Sequence, residues 1–114
     1  MPTGSGGRVA DFPHRGDVWL ARLDKVRPVV ILTRDPMGRE LNALISVYGT
    51  HTVRGVNTEV PVGPDDDFDQ GTVLNVDNLQ LVYQDELVEH VGHVRAETLA
   101  AICRAVVFAI ACSR

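Results

Sequence analysis

Chemistry near neutral pH needs a side chain that titrates there, and this 114-residue chain has four histidines. His51 is the most suggestive. It lies beside Thr50 in the polar run Thr50-His51-Thr52-Val53-Arg54, and an imidazole with an ordinary pKa of about 6.5 can act as base or acid. His90 and His93 invite a metal reading, but no carboxylate or thiol cluster with ligand spacing accompanies them. A surface or structural role fits them better. Asp65, Asp67 and Asp69 imitate half of a calcium loop. Its sixth position then holds Gln70 where Gly is needed and its twelfth Val76 where Glu is needed. A solvated acidic loop is the expectation. Arg15-Gly16-Asp17 spells an adhesion tripeptide yet reads as the entry to a strand. Cys103 and Cys112, nine residues apart on one helix, point to opposite sides at about 100° per residue and cannot bridge. No P-loop and no dinucleotide fingerprint occurs. Neither a metal nor a cofactor is expected.

The elements around these residues make one domain, because a chain this short buries a single modest core. A hydrophobic content of 45% excludes wholesale disorder. No apolar run approaches the roughly 18 residues of a membrane helix. The opening MPTGSGG lacks a hydrophobic signal region, which makes the cytoplasm the expected compartment. The net charge of −4 hides an asymmetry. Residues 1–55 carry eight Arg/Lys against five Asp/Glu, residues 56–114 three against ten. A positive face that binds a nucleic acid is therefore permitted, though not required.

Residues 1–14 are rich in Gly, Pro and polar types and read as a flexible leader before a folded domain spanning 15–114. Residues 17–23 alternate, with Val18 and Leu20 on one side and Trp19, Ala21 and Leu23 on the other. Residues 28–33 form a β-branched central strand that Pro28 should open, since it has no N–H for a ladder. Further strands are expected over 42–48, 59–62, 71–76, 79–82 and 91–94, with Pro61 marking an edge or a bulge and 85–90 forming a helical turn. From Ala96 the period becomes helical, with Leu99, Ile102, Cys103, Val106 and Ile110 on one stripe. Val107, Phe108 and Ala111 widen it beyond one stripe, which suggests a subunit interface. The sum is a mainly β fold: a small antiparallel barrel with a C-terminal α-helix.

Four segments, in order, resemble the MazF/PemK toxin family: Arg15-Gly16-Asp17-Val18-Trp19 with Leu23-Asp24; Arg27-Pro28-Val29-Val30-Ile31-Leu32-Thr33-Arg34-Asp35; Val73-Leu74-Asn75-Val76-Asp77-Asn78; and Val91-Gly92-His93-Val94 before the helix. The resemblance implies an SH3-like barrel, shared with gyrase-poisoning toxins of the CcdB type. It also implies a homodimer, inhibition by a cognate antitoxin, and metal-independent cleavage of single-stranded RNA at short motifs.

Such cleavage uses the ribose 2′-hydroxyl as nucleophile and requires a base, an acid and positive charge at phosphorus. By resemblance, Arg27 is the functional arginine; its planar fork can hold two phosphate oxygens. Thr50 matches the functional threonine after the third strand, and Asp77 an acid that some members use. In relatives that pair this acid with an arginine two residues earlier, that place is here Asn75. His51 or Asp77 would handle protons, while Arg34, Arg54, Asn75 and Asn78 would contact RNA. Many relatives carry a long Gly-rich loop between the first two strands; only Asp24-Lys25-Val26 stand here, so a more open groove is expected. The alternative reading is a non-enzymatic poison of a protein target such as gyrase.

Overall fold

The computed structural model describes residues 12–35, 37, 38 and 40–110. Among the described residues seven strands precede one helix: β1 Asp17–Arg22, β2 Val26–Ile31, β3 Ala43–Thr50, β4 Glu59–Val62, β5 Thr72–Asn75, β6 Gln80–Tyr83, β7 Leu87–His93 and α1 Ala96–Ile110. Three 3₁₀ turns, Pro64–Asp66, Val76–Asn78 and Gln84–Glu86, bridge β4 to β5, β5 to β6 and β6 to β7. All strand pairs are antiparallel. The hydrogen-bonded order is β4-β5-β3-β2-β1-β7, with β6 alongside β3. Among the described residues the expected barrel is thus a curled sheet that does not close, in which β4, β6 and β7 are each paired on one side only.

β3 organises this arrangement. Ser46 is bridged to Ile31 of β2 on one side and to Gln80 of β6 on the other. Its last residues, Gly49 and Thr50, then pair with Leu74 and Val73 of β5. Gly49 permits the change of partner, since a Cβ there would lie 2.7 Å from Thr72 Cγ2 and 2.9 Å from a Phe68 ring carbon.

Alternation along the strands feeds two buried clusters, one on each side, where the length led to the expectation of a single core; a period of two supplies both faces of the sheet. Val18, Val30 and Val47 point to one side, where Val60, Leu74 and Val76 join Ile102 and Ala105 of the helix. Trp19, Ala21, Val29 and Ile31 point to the other, with Leu44, Val82 and the partly buried Leu23, Tyr48 and Leu87. The split of β1 into a Val18 side and a Trp19-Ala21-Leu23 side is the one its sequence predicts.

Several expectations require correction. Pro28 lies inside β2 rather than at its start; it opens only the pairing with β3, which begins at Val29, because Pro has no N–H to give that ladder. The turn expected over 85–90 shrinks to Gln84–Glu86, and residues 87–90 belong to β7 against β1. At the start of the described residues the Phe12 and His14 rings sit 4.4 Å apart, and the His14 N–H donates to Asp17 Oδ2 at 2.8 Å. Residues 1–11 of the expected leader, and Cys112, lie outside the described residues.

The acidic loop is the largest departure. Asp66 is fully buried. Its carboxylate accepts from the Arg95 backbone N–H at 2.8 Å, from the Arg95 guanidinium at 3.1 and 3.2 Å, and from the Thr98 hydroxyl at 3.0 Å. It thereby caps the N-terminus of α1, where the helix dipole favours negative charge. Asp67 stands in the left-handed region at φ 62° and accepts the His93 N–H at 2.9 Å.

Candidate active site

Arg27 is the fulcrum of the candidate site. It pairs with Ala21 across β1–β2. The β2–β3 register ends at Val29 opposite Tyr48. Continued by two residues, it sets Arg27 opposite Thr50, and the period of two gives both the same face as Val29 and Tyr48.

The guanidinium is held on two sides. Arg27 Nε donates to Asp24 Oδ1 at 2.8 Å and Nη2 to Asp24 Oδ2 at 3.0 Å. Its carbon stands 4.9 Å from the centroid of the Tyr48 ring, within cation–π range. Its side chain is 23% exposed, that of Asp24 67%. The hydrogen bonds from Arg27 hold the Asp24 carboxyl down at about 2. Asp24 in turn raises the Arg27 pKa further above its ordinary value, so both groups stay charged at neutral pH.

Thr50 is half-buried at the end of β3, and its hydroxyl oxygen accepts the Thr52 N–H at 3.2 Å. The next residue, His51, falls on the opposite side. There it lines a cleft of about 300 Å³ with Leu20, Pro28, Phe68, Thr72 and Val91. The Thr72 hydroxyl donates its one proton to the Asp69 carbonyl at 2.8 Å, and His51 Nε2 lies 3.1 Å from the same oxygen. A hydroxyl that has spent its proton can only accept, so Nε2 carries the imidazole hydrogen and Nδ1 is the basic nitrogen.

The Asp77 carboxylate accepts the Thr58 hydroxyl at 2.6 Å and the Asp77 N–H donates to the side chain of Asn75 at 3.0 Å. It lines a second cleft with Gly55, Val56 and Phe108. The carboxylate that Arg27 pairs with is that of Asp24, not Asp77. Asn75 is buried, capping the turn that carries Asp77, whereas Asn78 is exposed. Arg34 and Arg54 are exposed. The backbone of the Arg54 segment is pinned by Glu59, whose carboxylate accepts the N–H groups of Arg54 and Gly55 at 2.7 and 2.8 Å.

Arg27 is thus held by Asp24 and Tyr48, the strand register extended by two residues sets it opposite Thr50, His51 falls on the other face of the strand, and Asp77 is engaged by Thr58 and Asn75. Sequence reasoning missed Asp24 and Tyr48 as neighbours of Arg27. Asp24 left a signal, standing three residues before Arg27 across a tight hairpin, whereas Tyr48 lies on a different strand and left none.

Other proteins share this frame. The family profile described as PemK-like, MazF-like toxin of type II toxin–antitoxin system matches residues 14–110. The chain is 33% identical over 106 residues to a probable endoribonuclease, MazF5, of Mycobacterium tuberculosis, covering 90% of this chain and 97% of that one. It is 36% identical over 89 residues to the endoribonuclease MazF3 of the same species, covering 78% and 86%. Among solved structures, the M. tuberculosis toxin MazF-mt6 superposes with a TM-score of 0.79 at 35% identity, over 83% of this chain and 96% of that one. A mycobacterial endoribonuclease in complex with its cognate antitoxin gives 0.81 at 28% identity, over 90% and 98%. With a profile match over residues 14–110 and two such relatives, the chain belongs to the PemK/MazF toxin family.

Proposed function

We propose that this protein is a cytoplasmic toxin endoribonuclease. It cuts single-stranded RNA at short motifs without a metal, leaves a 2′,3′-cyclic phosphate and a 5′-hydroxyl, and is neutralised by a cognate antitoxin. The observation that carries the reading is a guanidinium held in β2 by Asp24 and Tyr48; the β2–β3 register, extended by two residues, sets the Thr50 hydroxyl opposite it. In a 2′-hydroxyl attack the phosphate gains negative charge in the transition state, and Arg27 is the group that meets it. Thr50 holds a phosphate oxygen. Because Thr50 and His51 are consecutive, a strand of RNA crossing the end of β3 meets the hydroxyl on one side and the imidazole on the other. His51 Nδ1 then takes or returns the proton. Asp77, engaged by Thr58, serves chiefly to hold the loop that presents Arg54. Arg34, Arg54 and Asn78 contact the RNA backbone.

The relatives' names as endoribonucleases, and the antitoxin complex of the mycobacterial structure, support this reading. A homodimer is part of it. Ile45 of β3, Leu81 of β6, and Val107 and Ile110 of α1 are exposed apolar side chains. Ile45, Val107 and Ile110 also border a cleft of about 450 Å³ lined by Leu32, Leu79, Ile102 and Val106, a face suited to a second copy.

The test is cleavage of RNA in EDTA by the purified chain. Arg27→Ala is expected to lose cleavage by about 100-fold or more while its thermal midpoint stays near wild type. Intact RNA after incubation with well-folded wild type, across varied sequences, would refute the assignment. Toxicity that survives Arg27→Ala would instead indicate a poison that acts by binding.

A further inference from the structure

A guanidinium has two hydrogen-bonding edges and two faces. In Arg27 the Nε–Nη2 edge is taken by both oxygens of Asp24, and one face rests on the Tyr48 ring. Asp24 is itself carried by a short hairpin that closes where the Leu23 N–H donates to the Lys25 carbonyl at 3.0 Å. Gripped in this way, the arginine has little rotamer freedom left to lose on binding. What it still offers is the Nη1–Nη2 edge, whose donors form the same fork that matches two phosphate oxygens.

We infer that Asp24 and Tyr48 are positioning residues that aim Arg27, so that its Nη1–Nη2 edge receives the scissile phosphate while the Nε edge stays on Asp24. The inference rests on the ribonuclease reading above and adds to it the edge used and the two residues that set it. Five donors suffice for a carboxylate and a phosphate at once, so substrate has no need to displace Asp24. Asp24 also remains ionised throughout the neutral range, so the grip does not loosen with pH there. Aim matters because transition-state stabilisation depends on where the donors stand, and a displacement of about 1 Å can cost about 100-fold.

The experiment uses the full chain and a single-stranded RNA oligonucleotide containing a site that the wild type cuts, in EDTA. Asp24→Ala and Tyr48→Leu are each expected to lower kcat by about tenfold or more, with KM shifted by less than about threefold. The conservative Tyr48→Phe should restore most of the loss, because the ring and not the hydroxyl faces the cation. In an Arg27→Ala background, Asp24→Ala should cost nothing further, since no guanidinium remains to be aimed. A faster Asp24→Ala enzyme would overturn the inference by showing that the carboxylate competes with phosphate. Additive losses in the double variant would overturn it by showing that Asp24 acts elsewhere. Should Asp24→Ala fail to fold, the Tyr48 pair decides. A folded wild type that leaves all RNA intact refutes the ribonuclease reading; a wild type that cuts, with Asp24 and Tyr48 variants cutting equally well, refutes only the positioning roles.

Discussion

Arg27 draws its neighbours from the strands on either side of it, Asp24 from the hairpin with β1 and Tyr48 from β3. Arg34 and Arg54 differ, since both are exposed on loops. Their proposed part is electrostatic, so it should appear in salt dependence rather than in the chemical step. Arg54→Ala is expected to weaken RNA binding and to lower the slope of log affinity against log salt by about 0.7, the release expected for one phosphate contact on a single strand. Titrating a labelled oligonucleotide at several salt concentrations measures this; an unchanged slope would remove Arg54 from the RNA path. Legibility at this scale follows distance along the chain. Arg27 and Thr50 stand in short motifs and could be named. The partnership of Arg27 with Tyr48 depends on two strands separated by a loop, and no local pattern announces it.

The loop over residues 64–69 and the helix α1 are joined by Asp66. Although burial alone would raise its pKa, the hydrogen bonds from Arg95 and Thr98 outweigh this and lower it. A carboxyl with a lowered folded pKa adds stability above its unfolded value of about 3.9 and loses it as pH falls through the folded one. Thermal midpoints should therefore drop steeply below about pH 4, and Asp66→Asn should flatten that limb while lowering stability at pH 7. Arg95→Ala strips the buried carboxylate of its guanidinium. With the Arg95 side chain itself half exposed, Arg95→Ala is expected to lower the midpoint of denaturant unfolding at pH 7. An unchanged midpoint would mean that the backbone N–H and Thr98 alone satisfy Asp66. The same loop explains Gly92: a Cβ there would lie 2.0 Å from Asp67 Oδ2 and 2.7 Å from its Cβ. Gly92→Ala should break the bond from the His93 N–H and lower the melting point. Four aspartates in six residues read as a solvated loop because burial of one of them needs a partner 29 residues away. Composition has no means of showing that partner.

Across the whole molecule, the helix is apolar on more sides than one monomer can cover. Its inner residues Ile102 and Ala105 are buried, while Val107, Phe108 and Ile110 remain exposed. Val107→Glu is therefore expected to shift the protein from dimer to monomer in sedimentation equilibrium, with cleavage lost if the groove is built between copies. Equal masses for both proteins would place any interface elsewhere. Read alone, the chain specifies its strands, the two faces of β1, the terminal helix and the edge strand that contains Pro61, since each follows from a period or a backbone limit within a few residues. The unclosed sheet, the division of β3 between β6 and β5, and the capture of Asp66 by Arg95 arise only in three dimensions. The same holds for the seating of Arg27 against Tyr48 and of Asp77 against Thr58. These depend on which distant strands pair and in what register, a choice made by burial of both cores together and by no segment on its own.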